Sequence, residues 1–168
     1  MPCNRYFVTA LLLVATVARG QLADPDPDWK ETEVPSPPAF KTDQLIGVEM
    51  PRHLTTRFGI DPQTLRVTAD GVVRYVMVAS SPSGGVYAMY EGIRCQTGEV
   101  KTYARYGASG QWSVASGAEW RALNSGQASA HSLALARQGA CEGRAAAATN
   151  AAAIVRKLTT KPVEGSQL

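Results

Sequence analysis

Histidine and cysteine are the scarce residues of this 168-residue chain: His53 and His131 are its only histidines, and Cys3, Cys95 and Cys141 its only cysteines. The histidines stand far apart and nothing has metal-ligand spacing, so no metal or other cofactor is expected, and surface or capping roles suit both. A large excess of one charge is also missing. Seventeen basic residues oppose fourteen acidic ones, a net charge of +3. The basic residues are scattered rather than gathered into a stripe, which speaks against nucleic acid as a partner. Phosphate loops are absent too: Gly84-Gly85 and Gly107 to Gly110 lack the Lys-Ser/Thr that would follow, so they read as turns. No serine sits in the glycine-flanked elbow of a hydrolase.

Only one long hydrophobic run exists. Arg5 gives a short basic start, Tyr6 to Val17 is apolar, and Ala18-Arg19-Gly20 places small residues before a cut at Gln21. A dozen residues span about 18 Å of helix, short of a ~30 Å hydrocarbon core, so residues 1–20 read as a cleaved export signal leading to the periplasm. Cys3 precedes the run, where a lipoprotein cysteine would follow it. No later segment can span a bilayer, so the mature chain is expected to have no transmembrane segment.

Without the signal, Cys95 and Cys141 remain, and in an oxidising compartment two such cysteines most often form a disulfide. Closing a loop of that length stabilises by about 4 kcal/mol on the chain-entropy model. The alternative, Cys141 as a nucleophile served by His131, needs a free thiol in the wrong compartment.

Charge is unevenly placed in what remains. Residues 21–49 hold seven acids against Lys30 and Lys41, whereas residues 50–168 hold thirteen bases against seven acids. An acidic arm lying against a basic body is the simplest physical reading. The arm, residues 21–45, is proline-rich and so extended. Trp29 in it is expected to dock into a groove of its own domain, or to anchor a partner.

The middle of the chain reads as strands: Leu65 to Thr68, Val72 to Ser81, Val86 to Gln96 and Val100 to Tyr106, separated by turn residues too short for parallel crossovers. Asp70-Gly71 suggests a two-residue hairpin turn, and Gly92 a bulge or a close approach by another backbone. Ser129 to Gln138 reads as a helix with an apolar stripe from Leu133, Leu135 and Ala136. Arg144 to Leu158 reads as a marginal alanine-rich helix, interrupted at Thr149 and Asn150 and followed by a disordered end; Ile154, Val155 and Leu158 could instead dock a partner.

The candidate site residues follow. A Ser81 to Gly84 loop would place Arg74 opposite Glu91 as a structural ion pair, while a loop shifted by one residue would separate them. The catalytic alternative makes Glu91 a general acid, with Asp61 or Asp70 as its second carboxylate. Trp29, Trp112, Trp120, Tyr90 and Tyr103 are candidate binding aromatics, although aromatics on strands more often pack as core or cross-strand pairs.

Asp28-Trp29-Lys30-Glu31, Phe58-Gly59-Ile60-Asp61, Asp70-Gly71-Val72-Val73-Arg74-Tyr75, Tyr90-Glu91-Gly92-Ile93-Arg94-Cys95 and Lys101-Thr102-Tyr103-Ala104 occur in that order, followed by Trp112, Trp120 and a terminal Cys141. This pattern resembles the cryptic neisserial protein family of proteobacterial envelope proteins over about residues 28 to 141. The resemblance implies an exported single-domain protein of a family with no established activity. Arg137-Gln138-Gly139-Ala140 replace the family's usual aromatics, and residues 142–168 extend past its usual end. The expected organisation is a signal (1–20), an arm (21–45), the family domain (46–141) and a tail (142–168). The expected fold is α+β, with an antiparallel meander, one C-terminal helix and one disulfide. The leading function is a non-catalytic binding or accessory module acting on an envelope protein or small ligand through an aromatic-bearing sheet face or the sheet edge. A purely structural envelope component is the other alternative to an enzyme.

Overall fold

The computed structural model of the chain describes residues 26–124, 126 and 129–160. The expected signal, the first residues of the arm and the expected disordered end of the tail lie outside the described residues. An antiparallel sheet dominates. β1 (Ile46–Val48), β2 (Arg57–Ile60), β4 (Val72–Ser80), β5 (Val86–Arg94), β6 (Glu99–Tyr106) and β7 (Trp112–Val114) lie side by side in that order. Two short strands attach to it: β3 (Arg66–Val67) pairs with β4, and β8 (Arg121–Ala122) with β6. A separate hairpin joins β9 (Cys141–Glu142) to β10 (Ala145–Ala146). The helices are α1 (Ala130–Leu135) and α2 (Ala151–Thr160).

Glycine placement sets the register. In both hairpins that flank β4 the loop is three residues long, closed by a glycine in the left-handed region, Gly71 (φ 78°) and Gly84 (φ 85°). The Asp70-Gly71 turn is therefore Ala69 to Gly71, a three-residue loop rather than the expected two-residue one. The second loop is Pro82 to Gly84, with Ser81 bonded to Gly85, one residue shorter than the expected Ser81 to Gly84 loop. That single residue places Arg74 opposite Gly92 and Tyr75 opposite Glu91. Side chains alternate along a strand, so Arg74 and Glu91 point to opposite faces and the expected ion pair does not form.

Val72 to Val78 are all buried, because both faces of β4 are covered. On one face Val73, Tyr75, Met77, Ile93 and Val100 pack with Leu135, Ala136, Ala140, Ile154 and Leu158 from the helical side. On the other, Val76, Val78, Ala88, Tyr90, Tyr103 and Ala104 pack under Val34, Phe40 and Leu45 of the extended arm. The sheet is thus the middle of three layers. At Gly92 a Cβ would stand 2.5 Å from the Tyr103 hydroxyl, so the close approach is made by a side chain rather than by backbone. The bulge lies beside it: pairing slips between Tyr90 and Glu91, leaving Tyr103 as the extra residue of β6.

Cys95 and Cys141 are bonded, tying the end of β5 to the segment after α1. The expected ten-residue helix is shorter: α1 stops at Leu135, continues as a wide turn over Ala136–Ala140, and breaks at Gly139. The alanine-rich tail differs more. Asn150, expected to interrupt a helix, caps one by accepting the N–H of Ala153 at 2.9 Å. Ile154 and Leu158, one turn apart on α2, are buried at 0% and 3% exposure in the chain's own core rather than presented to a partner.

Candidate functional site

Glu91 reaches into the core on the helical face. Its Oε2 accepts hydrogen bonds from the Ser132 hydroxyl at 3.0 Å and the Tyr75 hydroxyl at 3.2 Å, and its Oε1 from the Thr102 hydroxyl at 3.1 Å. His131 Nε2 lies 3.1–3.2 Å from both oxygens. The imidazole is stacked on Phe58, with ring centroids 5.1 Å apart. Local structure explains the convergence: Tyr75 and Thr102 are the cross-strand neighbours of Glu91, and α1 supplies the next two residues. Burial alone would raise the Glu91 carboxyl, but the hydrogen bond and charge of His131, with the Ser132 and Thr102 hydroxyls, hold it below the ordinary carboxylate range. Burial and the Glu91 charge push the Tyr75 phenol well above its ordinary value.

This constellation can hold charge, but its geometry suits structure rather than turnover. Glu91 is 1% exposed, and four side chains already occupy its two oxygens. Ser132 bonds the carboxylate and not the imidazole, so no activated hydroxyl is presented. The candidate second carboxylates serve the arm. Asp61 accepts the Lys41 N–H at 2.8 Å, and Asp70 accepts both the N–H and the hydroxyl of Thr32 at 2.8 Å. Asp70 also takes the Arg74 guanidinium at 3.1 Å, on the face of the sheet away from Glu91. Burial works against ionised Asp70, and the bonds from Thr68, Thr32 and Val72 outweigh it and lower its pKa.

The candidate aromatics hold the same arm. Trp29 docks into its own domain: its indole donates to the Asp70 carbonyl at 2.8 Å, its ring covers the Arg94 guanidinium at 3.7 Å, and Trp120 meets it edge-on. Phe40 packs edge-on against Tyr106 and Trp112. Tyr90 and Tyr103 are buried beneath the arm, Tyr103 donating to Glu31 at 2.7 Å. Glu31 also pairs with Lys101 at 2.8 Å, so acidic arm and basic body do meet here. These rings form a clasp rather than an open stacking platform.

Open polar groups gather elsewhere, at the outer edge of the sheet. β7 and β8 pair with opposite ends of β6; Ala115 still donates its N–H to the Tyr103 carbonyl at 2.9 Å, and the chain beyond it, residues 116–120, is unpaired with β6. The recess left behind has a volume of about 310 Å³ and is lined by Thr102, Arg105, Ser113, Ser116, Glu119 and Arg121, among others. Arg105, Glu119 and Arg121 are exposed, and their charged groups have no partner among the described residues. Neither Arg105 nor Arg121 is singled out by the sequence: each is one scattered arginine until β7 and β8 bring them to one recess. His131, Ser132 and Thr102 escape it too, although strand alternation marks Thr102 as a neighbour that Glu91 could have.

Among the described residues no helix is long and apolar enough to cross a membrane, and no group of three His, Cys, Asp or Glu could hold a metal ion. The model of the CNP1-like family matches residues 24–159, so the chain belongs to that family. The match runs beyond Cys141 and takes in all of α2 but its last residue. No curated protein and no solved structure matches the chain.

Proposed function

We propose that this CNP1-like protein is an exported, non-catalytic binding module of the bacterial envelope, which takes a small polar ligand into the recess between β7 and β8. The observation that carries the reading is the contrast between two polar clusters. Around Glu91 every oxygen is occupied and sealed from solvent, whereas Arg105, Glu119 and Arg121 stand open in a cleft of ligand size. Export to the periplasm through a signal cut near Gly20/Gln21 is part of the proposal. The Cys95–Cys141 disulfide supports it, since such bonds persist in oxidising compartments. The enzymatic alternative through Glu91 with Asp61 or Asp70 draws no support from geometry, because those carboxylates face the arm and Glu91 faces the helices.

Native mass spectrometry of the unreduced protein, isolated from cells that export it, tests this. The expected spectrum shows a chain starting near Gln21, two hydrogens light, carrying a small bound mass that is lost in the doubly substituted R105Q/R121Q protein. A processed chain with nothing bound would favour a purely structural envelope component. A bound mass indifferent to both arginines would move the site away from the recess.

A further inference from the structure

The charges of the recess define a ligand more narrowly than its volume does. We propose that it takes a free acidic amino acid, a molecule with two carboxylates and one ammonium; this deepens the binding reading above and rests on it. Arg105 stands opposite Ser113 at one end of the recess, and Arg121 opposite Val100 at the other. Four residues of β6, the bulged Tyr103 among them, lie between these points, so the two ends of the recess are separated along the strand by at most about 16 Å at ~3.3 Å per residue. Both arginine side chains line the same recess. Each guanidinium fits a carboxylate through paired N–H donors. Glu119, on the unpaired segment between them, supplies the opposite charge. The Ser113 hydroxyl is committed to the Arg105 carbonyl at 3.2 Å and the Thr102 hydroxyl to Glu91, so of these hydroxyls Ser116 remains to donate to a ligand oxygen.

Other ligand classes leave part of this set unused or opposed. A neutral sugar would engage none of the three charges through an ion pair. An inorganic anion or a plain dicarboxylate would satisfy the arginines and bring negative charge against Glu119. Two cations and one anion on the protein are complemented by two anions and one cation on the ligand, which also suppresses binding of amides and simple diacids.

Calorimetric titration of the oxidised protein with L-glutamate, L-glutamine and glutarate separates these contributions. L-Glutamate is expected to bind most tightly. Glutamine, lacking one carboxylate, and glutarate, lacking the ammonium, are each expected to bind about tenfold more weakly, as for the loss of one charge-assisted contact. In E119Q the advantage of glutamate over glutarate should vanish; in R121Q its advantage over glutamine should vanish. These side chains are exposed and unpartnered, so the melting temperatures of both variants should match the parent and certify the fold. Equal binding of glutamate and glutarate, or of glutamate and glutamine, would overturn the ligand class. So would no glutamate binding by a protein that still carries an arginine-dependent mass in native spectrometry, with the binding module left standing. Absence of both signals would overturn the module itself.

Discussion

Glu91→Gln is the substitution that probes the buried cluster most sharply. The amide keeps an acceptor for the Thr102 hydroxyl, and its NH2 can donate to the Ser132 and Tyr75 oxygens once those hydroxyls turn. What disappears is the charge. Hydrogen bonds to an ionised group contribute about 1.5–3 kcal/mol and neutral ones about 0.5–1.5 kcal/mol, so the loss is about 1 kcal/mol at each of His131, Ser132 and Tyr75. A total of about 3 kcal/mol lowers the melting temperature of a chain of this size by about 6–12 °C. Circular dichroism melts of the oxidised protein at pH 7 measure it. The pH dependence gives a second reading. The Glu91 carboxyl is held below its ordinary 4.5 in the fold. Its contribution is therefore full above about pH 4.5 and lost as the pH falls through the lowered value. The gap between parent and variant should narrow below pH 4.5. Equal melting temperatures at pH 7, or a gap that widens in acid, would refute the structural role.

Three further outcomes are expected. Gly92→Ala pushes a Cβ against Tyr103 and Val72 and should destabilise by about 1–3 kcal/mol in urea titrations. Joint replacement of Cys95 and Cys141 by serine opens a bridge across a sequence separation of 46 and should lower stability by about 4 kcal/mol in the same assay. Leu158→Ala, in a tail that the sequence makes look dispensable, should cost about 2–5 kcal/mol because the side chain is 3% exposed in the main core. A change below about 0.5 kcal/mol would show that α2 is not part of the folded unit.

Periodicity and turn residues carry much of this architecture in the sequence. β-branched runs broken by glycines locate β4, β5 and β6 to within a residue or two of their observed ends, and two surviving cysteines give the bridge. What they cannot carry is register at single-residue resolution. Ser81-Pro82-Ser83-Gly84-Gly85 closes a loop of either three or four residues by composition, and that choice turns Arg74 to the arm and Glu91 to the helices. The His131 partnership is hidden for a related reason, since it depends on how α1 settles over β5. The tail misleads through its alanines: little apolar side chain is present, yet small residues let α2 approach closely enough to bury Ile154 and Leu158. The recess is least visible of all, because it arises where the chain leaves β6 between β7 and β8.

Amide chemical-shift mapping tests most directly the claim that binding happens in that recess. The ¹⁵N-labelled oxidised protein is titrated separately with free amino acids, dicarboxylates and simple sugars. The expected result is a saturable response confined to Thr102, Arg105, Ser113 to Glu119 and Arg121, with the arm and the Glu91 cluster unmoved. A response centred on Trp29, Trp112 and Trp120, or none with any ligand in the set, would contradict it.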